Sequence, residues 1–590
     1  MRHTKRILLI LLVISLLLPC VSCGSENGTT SSDVSVTVSE DVSSEAASEE
    51  VSEEVKDPNF IIAKDGEVCV DILIADKAST KEYTAAKDLA KYLGKIIGKK
   101  PEVIRERKAE EGKKYILVGE SELTKSLGFV KPSGYPGDEE VIVKQTGDYL
   151  VFMGNDDGNF NGTQFAVNMY LETLGCGWYG VEDLWQVIPT LSDINATDVD
   201  IHHIPRFGSR ITRVADTTVG NKWYIGGERS LTGHWLFQIA PASMYKEHPE
   251  WYALTNGSRD PAGYDYFQFC YSNDEFADYV AAKLDDYFNA HPDIISMTIA
   301  ANDGWDEHFC ECDKCKSLGN TSDCMVNFAN KVAKKVALTH PDRSLQIYSY
   351  HKTYEPPVNS IPLEPNVELM LCREASLTRP LDTDYFKEGR DGITRNTYTR
   401  SWRENAVEWI EKTSCKNVSV WCWYCISAGR DEWQYIPWVQ GNVATRDIEL
   451  WESIGVRYVF YDQGPLAGYL EDDSSFSLRW PLWYVASKAM WTDEMTGEEI
   501  LLDACNKLYG KASDAMFNYY KALADCSEKC TAYSMTWVPP TVKEVYYKYK
   551  ADLVAAVDAI KAVMDECTDV EKERINNQLG YWEKLYAKIK

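Results

Sequence analysis

Between about residues 205 and 491 the chain alternates short apolar runs with segments of helical period, and this alternation restricts the fold more than any other feature. The runs 295–300, 345–350, 367–372, 418–423 and 457–461 are rich in Ile, Val, Leu and Tyr and carry almost no internal charge. Such runs read as strands buried on both faces. Between or beside them, 324–338, 400–412 and 443–453 place apolar residues three and four apart, the period of a helix packed on one side. Strand, helix, strand repeated this often favours a parallel sheet, either wound into a (β/α)8-type barrel or doubly wound. A run at 209–213 and further upstream strands bring the count toward eight.

The fold class expected is therefore α/β with three folded regions. Residues 58–200 read as a modest α/β sandwich. Strands are expected at 60–63, 68–74 and 114–119, with a hairpin at 140–144 and 149–154. One helix there has Ala85, Leu89, Tyr92 and Leu93 on a single face, and a second runs over 163–174 and stops at Gly175. Residues 201–495 form the barrel, and 496–590 are helical with few strand signals.

The N-terminus addresses the compartment. Arg2, His3, Lys5 and Arg6 precede an apolar run over 7–18, the layout of a secretory signal, and the run is short for a membrane span. Small residues lead to Cys23, followed by Gly24, which resembles a lipobox in which Cys23 is lipidated, although Cys20 stands where Leu is usual. Residues 1–23 are thus read as a lipoprotein signal, and the protein as exported and anchored to the cell envelope through lipid alone. Residues 24–57, mostly Ser, Glu, Val, Thr and Gly, lack aromatics and suit a disordered tether with a reach of roughly 30 Å. A net charge of −28 argues against a nucleic-acid partner. Eighteen Trp and 35 Tyr provide rings for stacking on sugars as well as for filling cores.

In a (β/α)-barrel the chemistry sits where the strands end and the following loops begin. The run 295–300 ends at Asn302, Asp303 and Trp305, and 345–350 at His351. The run 367–372 ends at Arg373 and Glu374, 418–423 at Trp423 and Tyr424, and 457–461 at Asp462. Glycosidic cleavage requires one carboxylic acid to protonate the leaving oxygen and a second carboxylate on the far side. Asp303 and Asp462 are the first such pair and Glu374 the third candidate. Each is otherwise a loop cap or an arginine's ion partner. Asn302, Trp305, His351, Trp423 and Tyr424 are candidate substrate contacts. His234, in Gly233-His234-Trp235, and Arg210, inside the first strand, complete that set. Arg210 is either buried and paired or aimed at substrate.

Seventeen cysteines is a high count, and Cys310, Cys312 and Cys315 form C-x-C-x-x-C just after Asp303, with Cys324 close behind. Three thiolates and a fourth ligand suit a structural zinc, while an exported chain equally permits disulfides or free thiols. The chemistry itself requires no cofactor.

Several stretches carry a resemblance: "AAKDLAKYLGKIIGKK" with "YILVGES", "FMGNDDGNFNGTQFAVNMYLETLGCGWYG", "GHW", "HPEWYAL", "FCYSND", "ANDGWDEHFCECDKC", "YEPPVNSIPLEPNVELMLC" and "GVRYVFYDQG". Over residues 59–525 the chain resembles the domain of unknown function 4838 family of exported bacterial proteins. Its N-terminal part is similar to the β-hexosaminidase-like domain 2 that precedes the barrel in β-hexosaminidases and α-glucuronidases. The resemblance implies a glycoside-hydrolase-like barrel and carries His234, Asn302, Asp303, Cys310, Cys312, Cys315 and Asp462 as family positions. Two departures stand out: Trp421-Cys422-Trp423-Tyr424 lacks the acid of the family's Trp-Asp-Tyr, and Asp462 replaces a commoner Glu. Two readings follow. One is a glycosidase acting on an extracellular polysaccharide or oligosaccharide containing uronic acid or N-acetylhexosamine. The other is a non-catalytic carbohydrate-binding lipoprotein on the same barrel. A third, a hydrolase using a catalytic metal at the cysteines, would need an open ligand position.

Overall fold

Ser79 and Glu82 start the first helix by reciprocal capping, and the fold of the N-terminal region grows from what that helix buries. The helix, Thr80–Ile97, turns Ala85, Leu89, Tyr92, Leu93 and Ile96 onto a six-stranded mixed sheet. In hydrogen-bonded order the strands are Asp200–His203, Val141–Thr146, Tyr149–Gly154, Tyr115–Val118, Asp71–Ile74 and Val103–Arg105. The second strand is antiparallel to both its neighbours, and the remaining adjacent pairs are parallel. A second helix, Gly162–Thr173, joins the same buried cluster. It meets the end of the hairpin so closely that a Cβ on Gly154 would lie 2.2 Å from the Gly162 carbonyl carbon. Glycine at that position is a requirement of the packing. The opposite face of the sheet buries Leu73, Tyr115, Leu117, Val151 and Met153.

The computed structural model describes residues 59–590 apart from 213–216, 229, 263–266, 304–307, 374–379, 383–400, 424–432, 434, 438, 440, 463–473 and 531–539. The expected signal, Cys23 and tether lie outside the described residues. No helix among them is long and apolar enough to cross a membrane.

The central region carries the parallel strands that the alternation predicts. Seven run parallel in the order Ser209–Thr212, Val456–Asp462, Asn417–Trp423, Val367–Arg373, Ser344–Ser349, Ser296–Thr298 and Ser230–Leu231. The first strand in sequence lies beside the last, and the others follow in sequence order. That is the order of a barrel. Among the described strands the sheet is an open run, with the short Gly226–Gly227 strand antiparallel at one edge and Ser230–Leu231 at the other. It is thus a partial barrel where an eight-stranded (β/α)8-type closure was expected. The helices Asp274–Ala290, Thr321–Val336, Trp402–Thr413 and Gly441–Ser453 connect the strands. Phe276, Leu284, Phe328, Val332, Trp409 and Trp451 from them enter one large core.

That core continues without a break into the C-terminal helices, through Leu508, Tyr520, Leu553 and Trp582. Arg574 ties the last helix, Asp569–Ile589, across the molecule. Its guanidinium donates to the carbonyls of Leu184 (2.6 Å), Gln186 (2.9 Å) and Leu508 (2.9 Å).

Candidate functional site

The period of two along each parallel strand sends alternate side chains into the barrel interior. At the N-terminal end of the strands these are polar. Glu368 accepts from Ser296 Oγ (3.2 Å) and Gln346 Nε2 (3.0 Å), and burial raises its pKa. Nearby, the fully buried Glu228 accepts from Arg457 (2.9 Å). One layer up the interior turns aromatic. Trp421 packs edge-on against Tyr348 (5.8 Å) and Phe460 (4.9 Å), and Met370, Cys372 and Ala300 fill the gaps.

Asp303 stands above this aromatic floor, in the loop after Ser296–Thr298. Its Oδ1 lies 3.4 Å from the Tyr350 hydroxyl and 3.6 Å from His351 Nε2, and its side chain is 41% exposed. The carboxylate therefore has two polar neighbours and an open face. His351 holds a left-handed backbone conformation (φ 47°) that a non-glycine residue adopts only at a cost. This strained residue lies at the end of a parallel strand, beside the carboxylate. His234 comes from the Gly233 turn, which is clamped by Tyr348: the Tyr348 hydroxyl accepts from Gly233 N (2.7 Å) and donates to Gly233 O (3.0 Å). His234 Nδ1 donates to Ala301 O (2.7 Å), which leaves Nε2 as the acceptor of the neutral ring. Burial pulls its pKa below the ordinary imidazole value, and the Asp303 charge opposes that pull. His234 also lies edge-on to Tyr348 at 5.7 Å, so Asp303, His234, Tyr350 and His351 share one cleft.

Two expected substrate contacts have other work. Arg210 is buried and ion-paired with the equally buried Glu139 of the N-terminal region. It also donates to Tyr224 O (2.9 Å) and Phe207 O (2.7 Å) and lies over the Trp491 ring. It joins two regions of the fold and does not face the cleft. Glu139 lies 71 residues away in sequence, so local pattern carried no sign of the pair. Asn302 is buried, and its amide donates to Phe267 O (2.7 Å) and accepts from Phe237 N (3.2 Å). Gln268 grips its backbone on both sides. These bonds fix the backbone of Asn302, the residue before Asp303. Trp305, Glu374 and Tyr424 lie outside the described residues. Trp423 and Asp462 are placed by backbone only, as register partners at the ends of adjacent strands.

Four cysteine sulfurs, of Cys270, Cys310, Cys312 and Cys315, lie within 4.8 Å of one another. None of the four is in a disulfide. The expected fourth member, Cys324, instead turns its thiol to the Cys315 carbonyl (3.3 Å). Cys270 was hidden from the spacing argument because it arrives from 40 residues upstream of the C-x-C-x-x-C run, within the "FCYSND" stretch.

Solved structures similar to this chain include a family GH115 4-O-methyl-alpha-glucuronidase with specificity for decorated arabinogalactans. It has a TM-score of 0.48 at 12% identity, covering 90% of this chain and 74% of the other. A family 89 glycoside hydrolase from Clostridium perfringens, in complex with 2-acetamido-1,2-dideoxynojirmycin, has a TM-score of 0.47 at 9% identity, over 86% and 62% of the two chains. A GH138 enzyme targeting pectin rhamnogalacturonan II has a TM-score of 0.35 at 11% identity, over 88% and 69%. No curated protein matches the sequence. A protein family described as "Domain of unknown function (DUF4838)" matches residues 182–521, more than half of the chain, and this protein belongs to that family.

Proposed function

We propose that the protein is a glycoside hydrolase that cleaves an extracellular glycan at the C-terminal ends of the parallel strands. One observation carries the reading: a half-exposed carboxylate, Asp303, is held by Tyr350 and His351 above a floor of buried aromatic rings. In this mechanism Asp303 gives its proton to the glycosidic oxygen as the bond to the anomeric carbon breaks. Asp462, at the end of the last parallel strand, acts from the opposite side of the ring. It either takes a proton from attacking water or bonds to the anomeric carbon. A substrate bearing an N-acetyl group would supply its own nucleophile, and Asp303 alone would then suffice. His234 Nε2 accepts from a sugar hydroxyl, and Trp305, Trp423 and Tyr424 supply stacking faces. Glu374 is the reserve carboxylate. Substrates with uronic acid or N-acetylhexosamine residues are the first to test. Export through residues 1–23, lipid attachment at Cys23 and the tether over 24–57 would present this cleft outside the cell.

The test is sugar release by the purified protein from a panel of polysaccharides and aryl glycosides. Asp303→Asn and Asp462→Asn should each reduce release by about 10²- to 10⁴-fold, the usual weight of a general acid or base. One observation favours a second reading, a carbohydrate-binding protein without chemistry: the strand Asn417–Trp423 carries the buried Cys422 where the family resemblance leads one to expect an acid. Binding to a glycan with no release from any member of the panel would select that reading.

A further inference from the structure

The four clustered cysteines point to a ligand that the proposed hydrolysis does not need. Cys270 Sγ lies 3.8 Å from both Cys312 Sγ and Cys315 Sγ. Four thiolates at about 2.3 Å from a tetrahedral zinc stand about 3.8 Å apart along each edge. Two edges thus match a tetrathiolate metal site, all four sulfurs lie within 4.8 Å of one another, and none is in a disulfide. Their surroundings suit thiolates. Leu254 N–H donates to Cys310 Sγ (3.3 Å) and Cys315 N–H to Cys312 Sγ (3.4 Å). The Arg259 guanidinium, anchored on Tyr252 O at 2.6 Å, stands 4.0 Å from Cys310 Sγ. Two backbone donors and a cation offset the double negative charge of a metal with four thiolates.

We infer that Cys270, Cys310, Cys312 and Cys315 bind one zinc ion as a closed tetrathiolate site that fixes the loop carrying Asp303. On binding, the four thiols lose their protons and no electron is transferred. With all four positions filled by sulfur the metal has no place for water, so the site is structural and takes no part in hydrolysis. Its position explains its use. Three ligands follow Asp303 in the chain. The fourth lies two residues from Gln268, which clamps the backbone of Asn302 on the other side of Asp303 (2.6 and 3.2 Å). The ion thus fastens both ends of the segment that presents the carboxylate. Soft thiolates and tetrahedral spacing select zinc over hard cations such as magnesium or calcium.

The test uses the full chain and reads metal, with no reference to activity. Elemental analysis of the purified protein should find about one zinc per chain, released by a thiol-blocking mercurial and detected with a zinc-binding dye. Cobalt(II) substituted for zinc should give the intense visible bands of tetrahedral thiolate ligation. Cys270→Ser and Cys312→Ser should lower the zinc content to near zero, and Cys324→Ser should leave it intact. If either ligand variant fails to fold, mercurial release and the cobalt spectrum of the wild type still decide the question. The inference is overturned by metal-free protein that takes up no zinc on dialysis, or by disulfides among the four cysteines. Iron in place of zinc, or zinc lost from Cys324→Ser and kept by Cys270→Ser, overturns it as well.

Discussion

Arg210 and Glu139 are both almost wholly removed from water, and each satisfies the other's charge. Breaking such a pair from one side leaves an uncompensated buried charge, which costs about 3–5 kcal/mol. Arg210→Met should therefore lower stability to urea by that amount, and Arg210→Met combined with Glu139→Leu should recover most of it. A single variant as stable as wild type would remove the pair from the account. Glu368 makes a pH-dependent prediction. Burial raises its folded pKa above the ordinary carboxylate value of about 4.3. The stability this gives is complete below the ordinary value and is lost as pH rises through the folded one. Glu368→Gln should thus gain on wild type in unfolding temperature as pH climbs from about 4 toward 8, and parallel curves would reject the assignment. Its place at the N-terminal end of the strands, away from Asp303, makes it a stability residue and not a reserve acid. Sequence marked Asp303 and His351 because strand ends announce themselves by a change from apolar to polar, and His234 through the Gly233-His234-Trp235 stretch. Cys270, Tyr350 and the clamp on Asn302 were not legible, since each depends on partners brought in from distant segments.

Elements were the most readable level. The expected strands and helices of the barrel recur within a few residues, because buried strands and one-sided helices leave different periods in the chain. Ser401 with Glu404, and Thr496 with Glu499, mark helix starts by the same reciprocal capping seen at Ser79. Ser401→Ala should cost about 1 kcal/mol in chemical denaturation, the usual worth of a cap. A value near zero would mean that tertiary packing alone holds that helix. The two-residue strand Ser230–Leu231 has no readable period, whereas the helix Asp274–Ala290, which is not among the expected helices, does carry one, with Phe276, Val280, Leu284 and Phe288 four residues apart on its buried face. Gly154→Ala tests the closest contact between elements. The added methyl would collide with backbone, which cannot move aside as a side chain can. The variant should lose several degrees of thermal stability, whereas Gly66→Ala, with open space around it, should suffer only from its left-handed backbone.

At the scale of the molecule, the C-terminal helices share one core with the barrel, and Arg574 fastens them to residues near the N-terminal region. A chain ending at residue 495 should therefore expose a broad apolar surface and be recovered aggregated. Soluble recovery of that truncation with an intact thermal transition would contradict the shared core. The neighbour relation of the first and last parallel strands also sets a timetable. Ser209–Thr212 cannot pair with Val456–Asp462 until about 250 further residues have been synthesised, which takes a ribosome roughly 12 to 50 seconds. For that interval one edge of the nascent sheet has no lasting partner, and Gly226–Gly227, the strand that covers its other edge, is only two residues long. The birth of this protein is thus governed by a wait, during which a holding chaperone has more to protect than at any later time.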